Sequence, residues 1–509
     1  MQPVMQQAPS FSAFLHPRYW PTWIGIVALM LIAWMPLAIR TRTGQLLGYL
    51  TWVFGKERRY ITTVNIGIAF PDLDAPAQQE LVKQSFLENG IGLVETVTCW
   101  VRKPRSLGYA VNITGLDVLE HARTLHRGVL VVGAHYSTLD LGANLLSQFH
   151  PIAATYRPHN NPLFDAFMLR GRLSHCSGVF DRNDIRGAFR HLKAGHTLWY
   201  APDQDYGPDH AVYAPLFGKP AATIDAVSRF ATFNDSPVIF ARQHRQPGSN
   251  VYEFEFTPFP EDFPTGNDTL DATTINRLLE HAIRQHPAQY LWMHKRWKTQ
   301  PGGKPESPYI DISTPNHQLS KAQYHQVLQG AGPAPGKHGY ANYRLANGLL
   351  LREFPGVASK HGPGRHPAHR FDRYARALRV RHIRSITVDN IFRMPALNTS
   401  AVTFFCPAGV TLDQAGKPLP LAALAGFMAQ LHAAGCACPA PVPRDFLLDG
   451  DNFAVAEPAD FPCGDTPVTL AQRQASLTAL ADNLALDSAG RHTLLAAYTK
   501  ATGLPVEEN

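Results

Sequence analysis

The chain contains 509 residues, of which 45% are hydrophobic, and its formal net charge is +7. This length exceeds what one hydrophobic core normally organises, so we expect two domains. The positive charge favours an anionic partner, either a phospholipid surface or a phosphorylated substrate, and the sequence contains no nucleic-acid-binding motif, which argues against nucleic acid. The six cysteines show no paired framework, which is typical of reduced thiols in a cytoplasmic protein.

The N-terminal part contains a long apolar segment, residues 20–39, without a charged side chain. About 20 residues of helix match a hydrocarbon layer about 30 Å thick. More cations follow the segment, beginning with Arg40, than precede it, where Arg18 stands. The positive-inside rule therefore predicts a membrane anchor over residues 1–45 with the rest of the chain on the cytoplasmic side. Pro36 would kink or end such a helix, so a tilted or partly inserted segment is the alternative.

Beyond this segment, strand-like apolar runs alternate with helical runs. The predicted strands cover residues 129–132, 152–156, 198–200 and 237–241, and the predicted helices cover residues 77–100, 185–193 and 273–286. Gly90 and Gly92 are candidate break points in the first of these helices. The alternation predicts an α/β fold with a mixed or parallel sheet flanked by helices.

A candidate catalytic pair follows the first predicted strand. Gly133 ends the buried run Val129–Val132, so His135 is expected at the carboxyl end of the strand, where open α/β sheets place their chemistry. If a helix begins near Thr138, Asp140 lies in its first turn and can approach the His135 ring. A carboxylate that holds one ring nitrogen leaves the other as a general base. The alternative is a histidine that only caps or hydrogen-bonds the start of the helix.

The surrounding sequence distinguishes these alternatives. Motifs around the His135-x4-Asp140 box occur at residues 65–71, 156–162, 170–172, 181–184, 199–207 and 289–299. In order and spacing they resemble the bacterial lipid A late acyltransferase family (lauroyl and myristoyl transferases), over roughly the first 300 residues. The resemblance implies a glycerolipid acyltransferase-like fold over residues 46–305.

The resemblance also implies an activity. A fatty acyl group would move from an acyl carrier protein or coenzyme A thioester to a hydroxyl of a lipid A precursor, with His135 as the base, Asp140 as its orienting partner and no further cofactor. The location implied is the bacterial inner membrane, with phospholipid as a neighbour and the catalytic domain on the cytoplasmic side. The alternative for the whole protein is a non-catalytic envelope scaffold, in which the C-terminal half docks a partner.

Further polar residues of the matching motifs are candidates for substrate binding. They are Arg157, Asn161, Arg170, Arg172, Arg182, Asp203 and Asp205. A guanidinium group suits both a phosphate and a developing oxyanion, and the alternative for each arginine is a surface ion pair. The two aspartates could orient an arginine, bind amino-sugar hydroxyls or structure a turn. We predict no metal at these carboxylates.

The rest of the chain is expected to form a separate domain. Residues 306–336 are rich in Pro and Gly and predict a linker, after which residues 337–509 need their own core. A predicted hairpin at 339–354 and a predicted amphipathic helix at 421–435 resemble the lipopolysaccharide core-sugar kinase family.

The catalytic residues of that kinase family are missing. Arg352 stands where the phosphate-gripping lysine would be, Ala440 stands where the catalytic aspartate would be, and Glu457 replaces the metal-binding aspartate. Phosphoryl transfer depends on a positioned metal and base. We therefore predict a degenerate α+β kinase-like domain, and an active sugar kinase fused to the acyltransferase is the alternative.

Overall fold

The computed structural model describes residues 8–209, 211–310, 314–334, 339–360, 366–464 and 466–506. The chain divides into two compact units, Met1–Tyr309 and Ile310–Asn509. We call them the first and the second unit.

The N-terminal apolar segment is two helices and not the single span that we expected. Helix α1 covers Trp20–Ala33 and helix α2 covers Leu37–Phe54, and the extended backbone of Pro36 separates them. At a rise of about 1.5 Å per residue, α1 is about 21 Å long, which is short of a hydrocarbon layer of about 30 Å. Among the described residues, no helix combines the length and the apolar character needed to cross a membrane.

The first unit contains ten α-helices among its described residues. After α1 and α2 these are α3 (Lys56–Ala69), α4 (Ala75–Val101), α5 (Leu116–Thr124), α6 (Leu139–Leu146), α7 (Pro162–Leu173), α8 (Ile185–Lys193), α9 (Ala226–Asn234) and α10 (Asp268–Gln285). Its strands are β1 (Ala110–Thr114), β2 (Val129–Val132), β3 (Ala153–Tyr156), β4 (Gly178–Asp181), β5 (Thr197–Tyr200), β6 (Ala211–Leu216), β7 (Lys219–Ile224), β8 (Val238–Arg245) and β9 (Val251–Pro258).

Seven of these strands form one mixed sheet in the order β1-β9-β8-β2-β5-β3-β4. Strands β2, β5, β3 and β4 pair in parallel, and β8 and β9 pair antiparallel. Because successive side chains of a strand point to opposite faces, β2 contributes to two cores. Leu130 and Val132 pack with residues of α8, α9 and α10, and Val129 and Val131 pack with residues of α1, α6 and α7. The prediction of a mixed or parallel sheet flanked by helices is confirmed, and the sheet is the mixed one.

Helix α4 runs unbroken through the two glycines that we regarded as break points. A Cβ atom at Gly90 would lie 2.2 Å from the carbonyl oxygen of Gly44 in α2, and one at Gly92 would lie 2.1 Å from the carbonyl oxygen of Ser137. The glycines thus serve close packing: Gly90 lets α2 approach α4, and Gly92 lets the segment after β2 rest on α4.

The second unit combines helices with strands that pair mostly antiparallel, as expected of an α+β domain. Its helices are α11 (Lys321–Val327), α12 (Pro367–Val380), α13 (Leu421–Ala433), α14 (Leu470–Asn483) and α15 (Ser488–Thr502). Its strands are β10 (Asn316–Gln318), β11 (Gly332–Ala334), β12 (Asn342–Arg344), β13 (Leu350–Pro355), β14 (Thr387–Met394), β15 (Thr399–Phe405), β16 (Val410–Thr411), β17 (Phe446–Asp449) and β18 (Asn452–Val455). The predicted hairpin is formed by β12 and β13, and the predicted amphipathic helix is α13.

The expected linker, residues 306–336, is largely part of the second unit. Strands β10 and β11 are the two edge strands of a six-stranded sheet, β10-β14-β15-β13-β12-β11. An edge strand can hold Pro333 because a missing N–H is tolerated on the unpaired side. Residues 311–313 and 335–336 of the expected linker lie outside the described residues.

The expectation of reduced thiols also needs one correction. Cys436 and Cys463 form a disulfide inside the second unit, where the two residues face each other across an antiparallel bridge. They are 27 residues apart in the chain, so the sequence showed no motif for the pairing.

Candidate active site

A cavity of about 890 Å³ opens at the carboxyl edge of the seven-stranded sheet. Residues that directly follow β2, β3, β4 and β5 line its mouth, among them His135, Arg157 and Arg182. Its inner part runs along one face of the sheet and is apolar. That part is lined by Val131, Leu139, Ala143, Leu146, Ile152, Met168, Phe254 and Phe256.

His135 is held at the mouth of the cavity by Asp203. The Asp203 carboxylate lies 2.5 Å from Nδ1 of the His135 ring and accepts the His135 backbone N–H at 2.8 Å. Asp203 is 2% exposed, whereas the His135 side chain is 24% exposed and lines the cavity. Because Nδ1 is bonded to Asp203, Nε2 of His135 has no hydrogen-bond partner among the described residues. The ring borders the cavity.

The register of the sheet places these two residues together. Val132 of β2 pairs with Tyr200 of β5 in parallel, and both strands end there. His135 and Asp203 each follow the strand end by three positions, so they leave the sheet side by side. Burial raises the pKa of the Asp203 carboxyl, but the charge and hydrogen bonds of His135 outweigh burial and hold this pKa below its usual value. Asp203 is therefore ionised at neutral pH.

Asp140 does not hold the His135 ring, which corrects the pairing that we predicted. Asp140 lies in the first turn of α6, as expected, but its two carboxylate oxygens accept hydrogen bonds from Nε and Nη2 of Arg172 at 2.7 and 2.8 Å. The indole N–H of Trp100 donates a third hydrogen bond at 3.2 Å. The planar guanidinium of α7 and the carboxylate of α6 thus form a two-point ion pair that joins these helices in the cavity wall.

The surroundings keep this ion pair isolated from other charges. Burial raises the pKa of Asp140, but Arg172 outweighs burial and lowers it overall, while Asp140 in turn raises the pKa of Arg172 against the effect of burial. Burial lowers the pKa of the neighbouring His175 to about 4 and raises that of Cys176 to about 12. Both neighbours are therefore uncharged at pH 7.

The other predicted substrate-binding residues divide into two groups. Arg157 and Arg182 are exposed at the cavity mouth, and Asp205 also lines it. The carboxylate of Asp205 accepts hydrogen bonds from the backbone and side chain of Thr299, at 2.7 and 2.8 Å, and so fixes the segment after α10.

Asn161 and Arg170 lie away from the cavity, and the structure does not bring them to the site. Asn161 caps the start of α7 and donates to the Thr22 hydroxyl of α1 at 2.9 Å. The Arg170 guanidinium stacks over the Phe11 ring, 4.3 Å from its centroid. Both side chains attach the N-terminal segment to α7, which explains them without a ligand.

The sequence model of a family described as bacterial lipid A biosynthesis acyltransferase matches residues 8–299 of this chain. The chain belongs to this family. It is therefore an acyltransferase of the lipid A biosynthesis type, and the residues matched are those of the first unit.

Named relatives match the same part of this acyltransferase. The lipid A biosynthesis lauroyltransferase of Escherichia coli (strain K12) is 36% identical over 304 residues, which is 59% of this chain and 99% of the relative. The palmitoleoyltransferase of the same organism is 35% identical over 298 residues, 58% of this chain and 97% of the relative. The myristoyltransferase of that organism is 27% identical over 299 residues, which is 58% of this chain and 93% of the relative.

Among solved structures, WaaP in complex with acyl carrier protein is 15% identical and covers 34% of this acyltransferase and 81% of that chain, with a TM-score of 0.25. The apo GRMZM2G135359 pseudokinase is 15% identical, and the match covers 38% of this acyltransferase and 79% of the pseudokinase chain, with a TM-score of 0.24. At these scores the kinase-like nature of the second unit stays a prediction.

Two residues of the site went unnoticed in the sequence. The buried Tyr290 hydroxyl makes a hydrogen bond with Asp203, and Nε2 of His294, at the cavity wall, accepts the Asp205 backbone N–H at 3.2 Å. Burial lowers the pKa of His294 to about 4, so its ring is neutral beside His135. Both belong to the segment 289–299 that carries the family resemblance, and that segment was the available signal.

Proposed function

We propose that this acyltransferase moves a fatty acyl group from an acyl carrier protein thioester, or a coenzyme A thioester, to a hydroxyl of a lipid A precursor. His135 acts as the general base, and Asp203 holds its ring. The observation that carries the proposal is the His135–Asp203 pair at the mouth of a deep, apolar cavity. The names of the relatives support the acceptor, and the size of the cavity is within the range of ligand sites, about 300–1,000 Å³.

The proposed chemistry needs one proton to move twice. With Nδ1–H donated to Asp203, Nε2 takes the proton of the acceptor hydroxyl as its oxygen attacks the thioester carbonyl. The new C–O bond gives a tetrahedral oxyanion, and the imidazolium that forms is stabilised by the Asp203 carboxylate. Collapse of the oxyanion breaks the C–S bond, and Nε2 returns the proton to the leaving sulfur.

The shape and charge of the cavity support the two substrates. Its apolar inner part suits an acyl chain, because burial of each methylene contributes about 0.8 kcal/mol. Exposed cations surround the mouth: Arg157, Arg182, Arg229 and Lys298. Guanidinium and ammonium groups are the side chains that bind phosphate, and they would hold the phosphorylated acceptor with its hydroxyl near His135.

We also propose that the first unit works at the cytoplasmic surface of the bacterial inner membrane, on phospholipid. Apolar side chains of α1 and of the residue that follows it are widely exposed: Ile24 by 72%, Leu31 by 65% and Trp34 by 65%. Such a surface suits a helix that lies in the interface of a bilayer. An Ile24→Glu/Leu31→Glu variant should bind phospholipid vesicles more weakly in sedimentation assays, and unchanged binding would contradict this location.

The decisive experiment replaces the base. His135→Ala should abolish acyl transfer to a lipid A precursor in vitro, and mass spectrometry of the glycolipids of a host lacking this protein should show one acyl chain fewer, restored by the wild-type chain and not by the variant. Vesicle binding and the thermal unfolding midpoint serve as controls and should stay unchanged. Retained turnover in His135→Ala would remove the proposed base, and an unchanged glycolipid profile would leave the scaffold alternative.

A further inference from the structure

Helix α8 connects the cavity to a basic surface. Its inner side is formed by Gly187, Ala188, His191 and Leu192, which are buried, and Ile185 and Ala188 line the cavity. Its outer side carries Arg186, Arg190 and Lys193, all exposed. Spacings of four and three residues put these cations on one face of the helix. We call Arg186, Arg190 and Lys193 the α8 basic face.

The charge of the α8 basic face is not neutralised within the described residues. None of its three cations forms a salt bridge there, in contrast to Arg229 on α9, which lies 3.8 Å from Asp225. The nearest carboxylate in sequence, Asp184, accepts the Gly187 backbone N–H at 2.9 Å and so caps the helix. Like charges at such spacings repel each other, so the face gains stability when an anionic surface covers it.

The position of α8 favours a protein over a bilayer as that anionic surface. Ala188 and Leu192 of α8 pack in the same core as Leu130 of β2, whereas Ile26 of α1 packs in the core on the other face of the sheet, with Val129 and Val131. The α8 basic face and the exposed apolar surface of α1 therefore lie on opposite sides of the sheet. A membrane bound through α1 leaves α8 on the far side.

The length of the basic face also exceeds what a small thioester needs. From Arg186 to Lys193 the helix rises about 10 Å, over its outer surface and not along the cavity wall. Arg182, which lines the mouth, lies three residues before the first residue of the helix, Ile185. A partner on this face would thus sit beside the entrance that leads to His135.

We infer that the α8 basic face is the docking surface for an acidic carrier protein that presents the acyl thioester on a flexible arm. This inference rests on the proposed function and assigns the donor side of it. The carrier lies on α8, its arm enters the cavity past Arg182, and the acceptor enters from the membrane side.

The test compares two donors of the same acyl group, the carrier protein and coenzyme A, with an Arg186→Glu/Arg190→Glu variant. Reversal of two charges of the α8 basic face should raise KM for the carrier-bound donor about tenfold or more, with kcat little changed. It should leave the kinetics with the coenzyme A donor unchanged. The matched control, Arg123→Glu/Arg277→Glu, changes the same net charge at exposed positions of α5 and α10, and should affect neither donor.

A direct binding measurement separates this inference from the proposed function. Carrier protein should bind the full-length wild-type chain, lose about tenfold in affinity for the Arg186→Glu/Arg190→Glu variant, and bind more weakly as salt is raised. Equal losses with both donors, unchanged carrier binding, or loss of binding to anionic vesicles in this variant would each overturn the docking surface. Absence of wild-type turnover with every donor would instead overturn the proposed function, while carrier binding would still report on α8.

Discussion

At the scale of single residues, the site depends on which carboxylate holds which base. Asp203 contacts both the ring and the backbone N–H of His135, and Asp140 contacts Arg172 and Trp100. Asp203 is buried and Asp140 is partly buried, and both are ionised, but they belong to different ion pairs. Replacement of one should therefore change the chemistry, and replacement of the other should change the cavity wall.

Asp203→Asn should lower kcat by about 10²–10⁴-fold, the usual contribution of a positioned general base. An amide keeps the shape of the carboxylate, but it no longer stabilises the imidazolium or selects the ring tautomer that leaves Nε2 free. The measurement is the pH dependence of kcat/KM, whose acidic limb, where a general base becomes protonated, should move together with the loss of rate.

The matched control for this prediction is Asp140→Asn. It should leave the pH profile in place and lower the free energy of unfolding, because Arg172 then lies in the cavity wall without a countercharge. If Asp140→Asn moves the pH profile and Asp203→Asn does not, the assignment of Asp203 as the partner of His135 is wrong.

At the scale of elements, α6 and α7 set the depth of the apolar part of the cavity. Ala143 and Leu146 of α6 and Met168 of α7 line it, and the Asp140–Arg172 pair joins the two helices. Because this ion pair fixes the helices, a change of side-chain volume on either of them changes the length of the apolar space more than it changes the mouth.

Ala143→Phe should shift the preferred acyl group to a shorter chain, because the ring fills space that the end of the chain would occupy. Met168→Ala should extend the preference to a longer chain. The measurement is competition between acyl donors of different length, read by mass spectrometry of the product. Ala226→Phe, at the mouth of the same cavity, is the control and should lower the rate for all donors alike.

At the scale of the whole molecule, the first unit contains several histidines that folding keeps neutral. Burial lowers the pKa of five of them to about 4: His150, His175, His191, His286 and His294. Since the ordinary pKa of histidine is about 6.5, the unfolded chain binds more protons than the folded chain between about pH 4 and 6.5. Stability should therefore fall as the pH is lowered through this window.

Urea unfolding of the full-length protein at pH 7.5, 6.5 and 5 measures this effect. The free energy of unfolding should change by a total on the order of a few kcal/mol. The unfolding midpoint should change little between pH 7.5 and 6.5 and should decrease towards pH 5. His150→Gln, which keeps a hydrogen-bonding group near the Thr197 hydroxyl, should make the decrease smaller. A midpoint that is the same at pH 6.5 and 5 would contradict the claim that folding keeps these histidines neutral.

The second unit contains a buried ion pair between two residues that we expected at a kinase active site. Nη1 and Nη2 of Arg352 each donate to the Glu457 carboxylate at 2.6 Å, and Nε donates to Asn342 at 2.8 Å. The guanidinium also lies over the Phe371 ring, 5.0 Å from its centroid. The cation that would grip a phosphate is thus already neutralised, and the carboxylate that would bind a metal is already occupied.

Mg-ATP should therefore leave the thermal unfolding midpoint of the full-length protein unchanged, since a ligand raises it only by binding the folded state. Glu457→Gln should destabilise the second unit by about 3–5 kcal/mol, the usual cost of breaking a buried pair. A midpoint that rises with Mg-ATP in the wild type would support the fused-kinase alternative.

The sequence by itself determined the local elements and the edge of the sheet at which the site lies. The apolar run of β2, the glycine after it and the first turn of α6 are local signals, and they placed His135 at a strand end and Asp140 in a helix start. The two departures at Pro36 and in the Pro/Gly-rich segment have local causes as well: a proline that divides an apolar run, and edge strands short enough to resemble a linker.

Only the tertiary structure decided which carboxylate meets His135. Asp140 is five positions away in the chain, yet the bend after β2 directs it to Arg172, whereas Asp203 is 68 positions away and lies beside His135. The reason is that β5 pairs with β2 in parallel and in register, so residues at the same offset from the two strand ends become neighbours. Strand order is a property of the whole sheet, and it cannot be predicted from the spacing of residues along one strand.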